Sequence, residues 1–222
     1  MSSTTGRLRS PLALAGVLLS AAAGVILMGI ITAEALYPAS YSTFDNEISD
    51  LGATRPPGSV SYQPSAAIFD GTMLASGALI VAAAFLVHWG IRRRAVPAWL
   101  GVFGGSVFLV GVFPGNTSAH PLVATLTFLF AGVAALVVSR SVSAPTRYVS
   151  AVLGTVTLAS MALGFFFLDW GPVAELGDGG IERWIAYPAV LWLAVYGGSL
   201  MATPESAPET TETSRAAIPA AR

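Results

Sequence analysis

His120, Asp50 and Asp70 are the residues of this chain that could pass protons to and from a bound substrate. An imidazole titrates near neutrality, and a carboxylate can orient it or share its proton. Such a set would serve an intramembrane hydrolase or acyl-transfer enzyme. The usual nucleophile frames are missing. No cysteine is present, which removes disulfides, thiolate nucleophiles and zinc–thiolate sites together. Neither a Gly-x-Ser-x-Gly elbow nor a Gly-x-Gly-Asp motif occurs. A second set suits holding a polar headgroup: Glu34, Glu47, Ser49, Asp50, Asp169, Glu182 and Arg183.

The elements that position these groups follow from composition. Charged residues make up 10% of the 222, and apolar residues 54%. An average soluble domain carries roughly 25% charge, so most of this chain has lipid as its solvent. Six stretches lack Asp, Glu and Arg for long enough to cross a bilayer: 10–33, 71–91, 95–119, 121–139, 148–168 and 184–204. Helix is their only sensible state, because backbone groups in lipid must be paired within the segment. The strict alternation of a barrel strand is absent. The sequence predicts an all-α, polytopic bundle of six spans over residues 10–204. A short N-terminal segment (1–9) precedes it, and a disordered Glu-, Thr-, Ser- and Pro-rich tail (205–222) follows. The first span is too long and apolar for a typical cleaved signal sequence and is expected to be retained.

Arginine sets the orientation. There is no lysine, and nine of the eleven arginines flank one side of the spans: Arg7, Arg9, Arg92, Arg93, Arg94, Arg140, Arg147, Arg215 and Arg222. Arg55 and Arg183 are left for the other side. Both termini are therefore expected in the cytoplasm of a cell-membrane protein, with a long outer loop over residues 38–65. Asp45, Glu175 and Asp178 then read as ordinary loop acids. The net charge of −1 and the lack of a basic patch argue against nucleic acid as a partner.

The helix dipole sorts the remaining charges, since it favours acids at helix N-termini and bases at C-termini. Asp70 and Glu182 open spans that start outside and need no special role. Glu34, Asp169 and Arg183 sit at disfavoured ends. Such charges persist when paired or facing a wet cavity, so Arg183 is expected to pair with Asp169 or an acid of the first loop. His120 precedes Pro121, a residue favoured at the first helical position, and reads as an N-cap. It could instead carry a proton beside the outer carboxylates. His88 lies at the opposite membrane face, so no two-His metal site forms within one chain. Neither metal nor cofactor is expected. Gly101 and Gly105 form a GxxxG pair suited to close helix packing or to a homodimer face. Asn116-Thr117-Ser118 has the form of a glycosylation sequon.

The first loop runs Ile48-Ser49-Asp50-Leu51-Gly52, then Pro56, Pro57, Pro64 and Phe69. It has turn chemistry with apolar anchors, suited to an ordered cap. With Gly111-Val112-Phe113-Pro114-Gly115-Asn116, His120 and Glu182-Arg183, it resembles domain-of-unknown-function family 998 over about residues 11–202. That resemblance implies a six-span fold in a membrane and no established activity. The loop is also similar, more distantly, to the Frag/DRAM/Sfk group of six-span proteins, which implies a tie to membrane-lipid organisation. Lipid binding or organisation at an outer-leaflet polar site is the leading expectation. The enzyme is the alternative and a small-solute transporter the third, since charges at mid-depth are nearly absent.

Overall fold

Runs of Leu, Val, Ala, Gly and Phe with no polar interruption fold as helices because each backbone amide finds its partner four residues back. The computed structural model describes residues 10–38, 40–91 and 93–202. In it the helices are α1 (Pro11–Ala35), α2 (Ser65–Gly90), α3 (Ala95–Val112), α4 (His120–Ser139), α5 (Thr146–Phe166), the one-turn α6 (Gly171–Ala174) and α7 (Gly177–Met201). All but α6 are long and apolar enough to cross a membrane, which makes this an integral membrane protein of six candidate spans. The N-terminal segment, the tail and Arg92 lie outside the described residues.

Hydropathy and helix limits differ at the polar ends. The second span begins at Ser65 rather than at Gly71, and the last at Gly177 rather than at Trp184. A helix continues past the apolar run until the backbone stops it. Pro64 precedes α2, and Gly177 enters α7 at φ +68°. Asp70 and Glu182 thus lie inside their helices. The third span is shorter than expected, ending at Val112 before Pro114.

The six long helices close a ring. The packed neighbours are α1–α2, α2–α3, α3–α4, α4–α5, α5–α7 and α7–α1, with only a narrow contact between α4 and α7. Trp192 and Tyr196 of α7 fill the centre, fully buried and stacked with ring centroids 5.8 Å apart. Burying an indole requires a partner for its N–H. Trp192 Nε1 donates to Ser150 Oγ at 3.2 Å and so ties α7 to α5.

One end of the ring carries arginine. Arg93 Nη1 donates to the Arg140 carbonyl at 3.2 Å, and Arg94 Nη1 lies 2.6 Å from His88 Nε2. Residues 40–64 cover the other, capped end. Exposed aromatics mark both levels, with Trp89 and Tyr148 at the arginine end and Phe165, Phe166, Phe167 and Trp170 at the capped end. That is the usual place for aromatic rings in a membrane protein.

Small residues set how closely the helices approach, though the Gly101 and Gly105 pair is not where they are tightest. A Cβ on Gly77 would lie 2.4 Å from the Phe108 backbone nitrogen, and one on Gly104 would lie 2.8 Å from Ile80. These glycines join α2 to α3. Gly105 has open space around its Cβ position, and Gly101 only an ordinary contact with Ala84 at 3.8 Å. The GxxxG spacing therefore does not mark the tight α2–α3 seam. Gly77→Ala is expected to destabilise the protein by about 1–3 kcal/mol by overpacking. Gly105→Ala should stay within about 0.5 kcal/mol of the parent. Denaturant unfolding in detergent micelles reads both, and equal losses would overturn this packing assignment.

Candidate functional site

The cap is built from short-range hydrogen bonds that polar loop residues make with their own backbone. Ile48–Leu51 form a 3-10 turn. The Asp50 carboxylate accepts the Glu47 backbone N–H at 3.1 Å and the Asn46 amide at 3.3 Å. Ile48 and Leu51 point into the apolar core. Ser65 and Ser61 donate to the carbonyls of Leu51 and Gly52 at 3.1 and 2.9 Å. Gly115, in the α3–α4 connection, packs so closely that a Cβ would sit 2.0 Å from the Ala53 carbonyl oxygen. The two loop motifs therefore interlock.

α7 fixes this cap from the side. The Ile48 backbone N–H donates to Glu182 Oε2. Arg183 Nη2 donates to Glu34 Oε1 at 2.7 Å and to the Tyr41 hydroxyl at 2.9 Å. Its Nη1 donates to the carbonyls of Gly179, Asn46 and Thr43 at 2.8, 3.0 and 3.3 Å. Tyr41 in turn donates to the Glu47 carbonyl at 2.9 Å. Arg183 thus pairs with Glu34 of α1, correcting the expectation of Asp169 or a first-loop acid. Hydropathy alone could not choose among the acids, because the choice follows from α1 and α7 being neighbours in the ring. Asp169 lies exposed between α5 and α6, away from this junction.

Below the cap, α4, α5 and α7 enclose a cavity of about 300 Å³. Its mouth carries Glu47, Ser49, Arg55, Asp178 and Glu182, and its walls Phe128, Met161, Phe165 and Ile185. A smaller apolar cavity of about 80 Å³ adjoins it toward the bundle centre. Ser49, His120 and Glu182 stand on the wall common to both. Arg55 Nη2 meets Glu47 Oε1 at 2.5 Å, with the arginine side chain 61% exposed. Burial raises the Glu47 carboxyl above its ordinary range against the opposing pull of Arg55, and Asp50 and Asp178 add to the rise.

His120 is only 2% exposed. It is the first residue of α4, with Ala119 at the cap position, so the N-cap expectation is corrected. Its Nδ1 lies 2.7 Å from the Phe113 carbonyl oxygen. A carbonyl only accepts, so Nδ1 carries the proton and neutral Nε2 keeps a lone pair. Nε2 is buried with no hydrogen-bond partner among the described residues.

Glu47, Ser49, His120 and Glu182 therefore meet at one cleft. Glu34 and Arg183 form the junction beside it, and Asp50 organises the cap. Asp70 lies under Gly52, where a Cβ would come within 2.7 Å of Asp70 Oδ1. That oxygen is buried with no partner among the described residues. Asp70 and Glu182 are the sixth residues of helices that begin at Ser65 and Gly177, past the first turn where the dipole acts. Reading them as ordinary N-terminal acids is corrected on that ground. Arg55, Asp178 and Tyr41 were not singled out as site residues. Arg55 had one signal, as one of only two arginines outside the arginine-rich side.

Arg183→Gln is expected to lower the unfolding free energy by about 2–4 kcal/mol, because it leaves Glu34 and several carbonyls without a donor. Glu34→Gln should cost less, since the guanidinium keeps its other partners. Exchanging the two as Glu34→Arg with Arg183→Glu should not restore stability, because glutamate donates nothing to Thr43, Asn46 and Gly179. Denaturant midpoints of the four proteins test this, and recovery in the exchanged protein would refute it.

No curated protein and no solved structure matches the chain. A family model described as "Protein of unknown function (DUF998)" matches residues 20–199. The matched region reaches into all six long helices and contains the Ile48–Gly52 turn, the Gly111–Asn116 connection, His120 and the Glu182–Arg183 pair. The chain belongs to the DUF998 family of multi-span membrane proteins of unknown function.

Proposed function

We propose that this protein binds a membrane lipid at its capped end and serves in lipid handling or organisation there. One observation carries the reading. The cleft between α4, α5 and α7 runs from a charged mouth at Glu47, Arg55 and Glu182 to apolar walls at Phe128, Met161 and Ile185. An amphiphile has the same gradient. A volume of about 300 Å³ lies at the lower end of small-molecule sites, roughly 300–1,000 Å³, and suits a headgroup with the start of a chain. Exposed Phe165 stands on the cleft wall at the level of the aromatic belt, where lipid headgroups lie. We orient the capped end away from the cytoplasm, in the cell membrane, because the arginines gather at the opposite end.

A second reading, hydrolysis or acyl transfer, has the Nε2 lone pair of His120 in its favour. Asp50 and Asp70 do not line the cleft, so any carboxyl partner of that base would be Glu182 or Glu47. An enzyme of this kind would release fatty acid from ester lipids in reconstituted vesicles, and His120→Gln would abolish the release.

The binding reading predicts that protein purified in mild detergent retains lipid in native mass spectrometry. Ala124→Trp and Met161→Trp, which fill the cleft, should remove that lipid while the protein stays folded. Unchanged lipid stoichiometry in both variants would overturn the proposal.

A further inference from the structure

The mouth of the cleft is richer in acidic than in basic side chains. Three carboxylates line it, those of Glu47, Asp178 and Glu182, against the single guanidinium of Arg55. Its Nη2 pairs with Glu47 at 2.5 Å. Arg183, next in sequence to Glu182, directs its Nη donors to Glu34, Tyr41 and three carbonyls. Glu182 spends one oxygen on the Ile48 N–H and faces both cavities. His120 adds a neutral acceptor, because Phe113 takes its only proton and leaves Nε2 bare. A buried acceptor without a donor is costly, and a carboxylate without a countercharge more so.

We infer that the occupant of this cleft is a lipid bearing a protonated primary amine, held by Glu182 and His120 Nε2. The inference rests on the lipid-binding reading and names the headgroup. An ammonium brings a positive charge and several N–H donors in one compact group. A quaternary amine brings the charge without the donors. A hydroxyl brings a donor without the charge. A headgroup with phosphate and no amine adds to the repulsion. The apolar walls below take the chain, so a water-soluble amine lacking one binds far more weakly.

The test uses the full chain in nanodiscs, with competing phosphatidylethanolamine, phosphatidylcholine, phosphatidylglycerol and diacylglycerol read by native mass spectrometry. Phosphatidylethanolamine is expected to be retained about tenfold or more over each of the others. Free phosphoethanolamine at the same concentration should not displace it. Glu182→Gln keeps an oxygen for the Ile48 N–H and removes the charge. It should bring the preference close to parity with unfolding behaviour unchanged. Equal or greater retention of phosphatidylglycerol or diacylglycerol, lost in Ala124→Trp, overturns the amine and leaves lipid binding standing. Undiminished amine preference in Glu182→Gln also overturns it. Displacement by free phosphoethanolamine overturns the lipid as the source of the amine. Retention of no lipid at all overturns both readings.

Discussion

A guanidinium taken largely out of water must find acceptors for its donors, and Arg183 finds them on three separate elements. Its side chain is 11% exposed and that of its partner Glu34 is 23% exposed. At that depth an unpaired charge costs several kcal/mol, so the surrounding chain is arranged to supply acceptors. Glu34 comes from α1, the Thr43 and Asn46 carbonyls and Tyr41 from the cap, and the Gly179 carbonyl from α7 itself. Three carbonyls share the two protons of Nη1, so the loop has little freedom to shift without stranding one of them. The Tyr41 ring lies 5.7 Å from the guanidinium carbon and adds an aromatic face. One side chain thereby turns residues 41–52 from a connection into a lid of fixed shape.

The cleft is a consequence of that lid. Fixing the cap against α1 and α7 draws Ile48 onto Glu182 and leaves the α4 side of the mouth unfilled. Space is left between the helices there, because α4 and α7 meet only narrowly. His120 begins α4 at this opening, and the tight Phe113–Gly115 connection presents a carbonyl to its Nδ1. The same connection packs Gly115 under Ala53. Cap position, imidazole tautomer and cleft shape are thus coupled through a few residues.

Hydropathy made the six spans readable because lipid leaves a chain few options. Where water or other protein replaces lipid the rule weakens, and there the helix limits moved. α2 and α7 extend toward the cap and carry Asp70 and Glu182 inside, past the reach of the helix dipole. The loop motif was legible as turn chemistry, since Ser49, Asp50 and Gly52 are turn formers in any context. The partner of Arg183 was not legible, because it depends on which helices are neighbours. Nor was the GxxxG pair a guide to the tight seam. Gly77 packs against Phe108 and Gly104 against Ile80 across α2 and α3, and no spacing within one helix encodes a contact between two.

Asp70 and Glu182 show why the cleft is one-sided. Each is the sixth residue of its helix at the capped end, and each is a carboxylate close to the loop. Asp70 sits beneath Gly52, with Oδ1 sealed from solvent and from both cavities. Glu182 is held by one backbone N–H and otherwise faces the cleft. The cap therefore closes over α2 and opens over α7. The carboxyl on the cavity wall that His120 shares is that of Glu182, while Asp50 and Asp70 are both turned to other work. Glu182 and the unpartnered His120 Nε2 together make a cradle for a group that brings its own protons.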